Sequence, residues 1–161
     1  MRVLVVIMMF CAYEAFVQAH HCGKPTETET RYTLKEAKSF ETFVEKVFGS
    51  TSAEVAKQNL TELTIRYDGE YYYLKYILGD HEVANKFRPN EPFDEKTWFG
   101  TISTTVNVIE VRHLQFLSTL SNGKQFTRNY DFDTTKLKMT GNSTSDVDCT
   151  FEIILERTKH E

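Results

Sequence analysis

Cysteine, basic charge and long apolar runs are all in short supply in this 161-residue chain. Its three cysteines are Cys11, Cys22 and Cys149, so cysteine usage is thin. The formal net charge of −4 argues against a nucleic-acid partner, which needs a basic stripe. It also argues against electrostatic docking to anionic membrane as the main mode of action. No segment beyond the first 19 residues is apolar enough to span a bilayer. Internal repeats, low-complexity blocks and linkers are missing, as are a nucleophile elbow, a phosphate loop and an HExxH motif. Ser, His and Asp are scattered without the spacing of a triad. Neither an enzyme nor a cofactor is expected.

The apolar character is concentrated at the N-terminus. Arg2 gives a positive start, residues 3–11 form an apolar run, and Val17-Gln18-Ala19 offers small or apolar residues at the usual cleavage positions. This is the pattern of a secretory signal peptide, residues 1–19, cut after Ala19. A membrane anchor fits less well, because Glu14 interrupts the run and the apolar core is too short to cross a bilayer. The expectation is a secreted, soluble protein of about 142 residues, the size of one domain. Residues 20–29 form a polar arm and residues 30–161 the folded domain. Cys22 and Cys149 then remain, and in an exported chain they can form a disulfide tying the arm to the last strand. The competing reading of His20-His21-Cys22 is a soft metal site, which requires a free thiol. Asn59-Leu60-Thr61 and Asn142-Ser143-Thr144 are glycosylation sequons beside predicted turns or helix ends.

Periodicity divides the folded part sharply. Phe40, Phe43, Val44 and Val47 have the spacing of one helix face, and Gly49 ends the pattern. Ser50, Thr51 or Ser52 caps a second short helical pattern with Glu54 in its first turn. From Thr61 the period becomes two, with hairpin turns at Asp68-Gly69, Gly79-Asp80 and Asn122-Gly123. Counting the strand at Tyr32, about ten strands are expected; the stretch 108–111 has no clean turn signal. Ten short antiparallel strands avoid exposed edges by closing into a barrel, and a barrel of this size encloses a cavity. The fold class is therefore all-β: a ten-stranded antiparallel up-and-down barrel. A helix-turn-helix placed once, between strands 1 and 2, looks like its lid.

The first strand and helix also carry a resemblance. Tyr32, Leu34, Phe40, Glu41, Phe43 and Val44 occupy, at the right spacing, the N-terminal signature of the fatty-acid-binding protein family. Thr30 and Ser39 depart from it, where Gly and where Asn, His or Gly are usual. The chain resembles that family strongly over residues 30–50 and more weakly as far as Arg157. The resemblance implies a monomeric, non-catalytic carrier that holds a long-chain fatty acid or similar lipid inside the barrel. In the family an Arg on the strand after the Asn-Gly turn and an Arg-x-Tyr pair on the last strand meet the ligand carboxylate. Here Tyr130 stands at the first position, with Arg128 one inward step earlier, and Ile153 and Leu155 stand in place of Arg-x-Tyr.

In residues 124–132, Phe126, Arg128, Tyr130 and Phe132 share the apolar face. A guanidinium there needs a carboxylate. That carboxylate belongs to a fatty-acid head group or to an internal Glu or Asp, unless Arg128 lies at a wet strand end. The candidate ligand-binding residues are Arg128, Tyr130, Phe126, Phe116, Ile153, Leu155, Phe43 and Val47. Leu63, Ile65, Tyr67, Ile102, Val106, Leu114, Leu120, Met139 and Phe151 complete the candidate interior. Lys46 and Lys57, on the outer helix face, offer a transient membrane contact or are simply solvated. The rival readings are a secreted lipocalin-like barrel of eight strands, and a secreted interaction or defence protein with a filled cavity.

Overall fold

Among the described residues there are ten strands, each antiparallel to its sheet neighbours. The computed structural model describes residues 29–49, 60–97, 100–110, 112–146 and 148–158. Its elements are β1 (Thr30–Lys38), α1 (Phe40–Phe48), β2 (Leu60–Tyr67), β3 (Tyr72–Leu78), β4 (His81–Phe87) and β5 (Pro92–Thr97). β6 (Gly100–Glu110), β7 (His113–Thr119), β8 (Gln125–Phe132), β9 (Lys136–Ser143) and β10 (Thr150–Arg157) follow. The sheet order is β4-β3-β2-β1-β10-β9-β8-β7-β6-β5, so every neighbour is consecutive in sequence except the closing pair β1 and β10. This is the expected up-and-down barrel with a helix between its first two strands. It leaves no place for an eight-stranded lipocalin. The expected signal peptide 1–19, Cys22 and its neighbours, the expected second helical pattern, Lys57 and Asn59 lie outside the described residues.

The turns form where their residues dictate. At Asp68-Gly69 the Asp68 carboxylate accepts the backbone N–H groups of Glu70 and Tyr71 at 3.0 and 2.7 Å and the Tyr73 hydroxyl at 2.8 Å. The Tyr71 N–H foremost, then the Tyr73 hydroxyl, hold this carboxyl below its ordinary range. Residues 108–110 of the stretch without a turn signal prove to be strand: β6 runs to Glu110, with a register shift between Val108 and Glu110, and β7 starts at His113.

Alternation sends every second side chain inward. Leu74, Tyr76 and Leu78 of β3, Ile102 and Val106 of β6, Phe126 and Tyr130 of β8, and Phe151, Ile153 and Leu155 of β10 are buried together. Ile65 and Leu120 are only partly buried at the margin of this core. Tyr67 departs from its expected inward place and is half exposed. It is the last residue of β2, and its hydroxyl turns to donate to the Gly69 carbonyl at 2.7 Å while its ring stacks on Tyr72.

β4 and β5 are the two ends of the hydrogen-bonded sheet, and a side chain joins them. The Asn85 carboxamide donates to the Lys96 carbonyl at 3.1 Å and accepts the Lys96 N–H at 2.8 Å. It thereby stands in for one peptide unit of a strand ladder. Phe87 of β4 stacks on Phe93 of β5 across the same seam, with ring centroids 5.0 Å apart. Truncating Asn85 would leave a strand N–H and C=O without partners, which costs about 1–3 kcal/mol for a buried group. Asn85→Ala is expected to lower stability by that order in urea denaturation and to accelerate amide exchange at Lys96 more than at Thr104. Unchanged exchange at Lys96 would show that the seam is held by the aromatic stack alone.

Candidate functional site

Helix α1 closes one end of the barrel because its apolar face has nowhere else to go. A nine-residue helix is unstable alone in water. Burying Phe43, Val44 and Val47 contributes at most about 1.5–3 kcal/mol per side chain, enough to hold it. Gly49 ends the helix in the left-handed conformation, φ 73°, and its N–H donates to the Glu45 carbonyl at 2.9 Å. Ser39 precedes it, also left-handed at φ 57° and without a side-chain cap bond. On the outer face Lys46 pairs with Asp146 at 3.3 Å, and Lys124 donates to the Lys46 carbonyl at 3.2 Å.

Beneath the helix an aromatic cluster forms the underside of the lid. Phe43 meets Phe126 and Phe151 edge-on at 6.0 and 4.7 Å, Phe40 meets Phe151 at 5.3 Å, and Phe48 meets Phe126 at 5.2 Å. Phe151 sits where it does because Gly141, its register partner on β9, lacks a side chain; a Cβ there would collide with the ring.

A cavity opens below this cluster. It is walled by Phe40, Phe43, Val44 and Phe48 of the helix, and by Tyr76, Ile102, Phe126, Arg128, Met139 and Ile153 among barrel residues. About 50 Å³ of it is open to the centre of a water-sized sphere. That holds a few waters and is too narrow for an acyl chain unless the aromatic side chains move.

One wall is polar. Thr104 of β6 faces Ser118 of β7 in register, with Glu95 of β5 and Arg128 of β8 placed diagonally on the flanking strands. The four side chains form a continuous row across β5 to β8. The Arg128 Nη1 donates to Glu95 Oε1 at 2.9 Å, and Nη2 donates to Glu95 Oε2 and to Ser118 Oγ, the latter at 3.0 Å. The Thr104 hydroxyl donates to Glu95 Oε2 at 2.7 Å and shares a 2.9 Å hydrogen bond with Ser118. Glu95 is 1% exposed. Burial is the largest single influence on Arg128 and opposes its charge, but the attraction and hydrogen bonds of Glu95 together with the nearby Tyr130 and Tyr76 oxygens outweigh it, and the guanidinium pKa is raised. The Arg128 Nε–H is buried without a hydrogen-bond partner. Beside it the Tyr76 and Tyr130 hydroxyls share a buried 2.9 Å hydrogen bond. Burial first of all pushes both phenols above their ordinary range, so both stay neutral.

Of the candidate residues named from sequence, Arg128, Tyr130, Phe126, Ile153 and Phe43 line the cavity. Phe116 is buried behind it, its ring 4.5 Å from that of Tyr130; Leu155 and Val47 are buried in the surrounding core. Arg128 is paired with an internal carboxylate, that of Glu95. Sequence reasoning misses Glu95: it alternates in phase with Phe93, but Asp94 and Lys96 on either side make that phase look like ordinary strand polarity. Cys149 is buried and has no disulfide partner among the described residues; Cys22 lies outside them. Asn142 is exposed within β9, and the Thr144 hydroxyl of its sequon donates to the Gln125 carbonyl at 2.9 Å.

No family model and no curated protein matches the sequence. Solved structures do match the fold. A Schistosoma mansoni fatty acid binding protein in complex with arachidonic acid is 18% identical, with a TM-score of 0.72 over 85% of this chain and 100% of that one. A REP1-NXSQ fatty acid transporter is 18% identical, TM-score 0.69, over 81% and 96% of the two chains. An apo Caenorhabditis elegans lipid binding protein is 15% identical, TM-score 0.68, over 85% and 99%. What these proteins share with this chain is the fold, the lidded ten-stranded barrel that the resemblance implied.

The Glu95–Arg128 pair generates a stability test. Removing one partner strands a buried charge, which costs about 3–5 kcal/mol, whereas replacing both with apolar groups is often neutral. Arg128→Leu is therefore expected to be far less stable than the Arg128→Leu/Glu95→Leu double variant in guanidinium denaturation. A double variant as unstable as the single one would mean that the pair is not energetically coupled.

Proposed function

We propose that this chain is a secreted, non-catalytic carrier that holds one long-chain lipid, a fatty acid or a similar hydrophobic ligand, inside the barrel under helix α1. The observation that carries the reading is the cavity itself. It has an aromatic lid on one side, aliphatic walls, and a single row of polar groups with spare hydrogen-bonding capacity. An amphipathic lipid matches that layout: transfer of its chain out of water contributes about 0.8 kcal/mol per CH₂, and its head has a polar wall to meet. The fold shared with proteins described as fatty acid binding or transporting supports the same reading. Loading then requires α1 and the rings of Phe43, Phe126 and Phe151 to give way. Lys46, on the outer face of α1, is the described residue proposed to meet a membrane during transfer.

The narrowness of the cavity favours one rival, a secreted interaction protein whose interior is filled. Native mass spectrometry of the purified exported protein, with lipid extraction and Nile red titration, separates the two. The carrier is expected to bind one lipid or one dye molecule per chain. A protein that carries no lipid and leaves Nile red dark would sink the proposal. Phe43→Ala removes ring contacts to Phe126 and Phe151 that are worth about 0.5–1.5 kcal/mol each. It is expected to speed ligand release roughly tenfold in stopped-flow displacement; unchanged release would place the route away from the lid.

A further inference from the structure

The cation on the inner face of the cavity is already neutralised. Arg128 spends both terminal nitrogens on Glu95 and Ser118, and its bond to Glu95 is two-pronged, the same geometry it would use on a ligand carboxylate. Lys96, which also borders the cavity, is exposed on the outer face of β5. Glu95 is anchored from its other side by the Thr104 hydroxyl. A ligand carboxylate therefore has two options. It can displace Glu95 and leave a buried carboxylate unpaired, or it can lie beside Glu95 with no cation of its own. Both are strongly unfavourable in a buried site.

What the wall still offers is neutral hydrogen bonding. The Arg128 Nε–H is buried and has no partner. Tyr76 and Tyr130 have two hydroxyl protons between them, and their mutual bond uses one. An uncharged oxygen can accept from these donors without disturbing the ion pair.

We propose that the cargo is a long-chain lipid with an uncharged, hydrogen-bond-accepting head group, such as an alcohol or a primary amide, and that Glu95 selects it by neutralising Arg128. The proposal rests on the carrier reading and sharpens it. Glu95 is then a specificity determinant, and free fatty acid is the disfavoured ligand.

Nile red displacement from the full exported chain tests this with hexadecanol, palmitamide and palmitate, each kept below its solubility limit. The two neutral lipids are expected to displace the dye at concentrations at least roughly tenfold lower than palmitate, the scale set by one buried, imperfectly paired carboxylate. Glu95→Gln keeps the size and removes the charge. It is expected to improve palmitate binding by roughly tenfold or more while leaving hexadecanol within about threefold, since only the carboxylate gains a free cation. Palmitate binding tightest to the wild-type protein would overturn the selection by Glu95 and leave the carrier reading standing. Equal effects of Glu95→Gln on palmitate and hexadecanol would also overturn it. Failure of the dye and of all three lipids to bind would remove both readings. The ranking on wild-type protein decides the matter even where the variant does not fold.

Discussion

A guanidinium held on the inner face of a barrel has to meet a carboxylate, and here the carboxylate comes from the protein. The Arg128–Glu95 pair joins β8 to β5 across two intervening strands, and the two residues are 33 apart in the chain. Thr104 and Ser118 make the join continuous, because their strands present hydroxyls on the same face at the same height. The row works only as a unit. Without the hydroxyls, Glu95 and Arg128 would be left with bare flanks, and buried ion pairs with unsatisfied flanks are net destabilising. The electrostatics of the cavity follow from this one row: it is polar, yet carries no net charge.

The seam and the lid are organised around that row. β5 is an edge strand with a hydrogen-bonded neighbour on one side only. The Asn85 carboxamide supplies the other side at Lys96, adjacent in sequence to Glu95. The lid is assembled over β8, β9 and β10, where the absence of a Cβ at Gly141 leaves room for the Phe151 ring that receives Phe40 and Phe43. The cavity thus has a polar wall fixed by hydrogen bonds and an aromatic roof fixed by packing. Packing contacts are individually weak and non-directional, so the roof is the part suited to move.

The barrel was largely legible from sequence because its signals are local. Asp68-Gly69 and Asn122-Gly123 mark hairpins, and alternation within residues 124–132 assigns the inner face of β8 without reference to anything distant. Local signals end where strands end. Tyr67 alternates correctly with Leu63 and Ile65, but as the last residue of β2 it escapes the pleat and bonds to Gly69. The site was half legible for the same reason. Arg128 stands out among apolar neighbours, whereas Glu95 sits in Pro92–Thr97 between Asp94 and Lys96 and looks like ordinary strand polarity. Only the register of β5 against β6, and of β7 against β8, brings it opposite Arg128. Likewise, no feature of the segment around Asn85 distinguishes a seam residue from a polar strand residue.

That register gives Asn85 a role beyond closure. A strand that slips by one residue exchanges its two faces. In β5 such a slip would turn Glu95 outward and bring Asp94 or Lys96 inside, leaving Arg128 without its partner. β6 restrains β5 from one side, and the two hydrogen bonds from Asn85 to the Lys96 backbone restrain it from the other. Both bonds fall on the residue next to Glu95, so they fix the phase of the strand where the charge balance of the cavity depends on it. Closing the barrel and setting the polarity of its interior are thus consequences of the same backbone position.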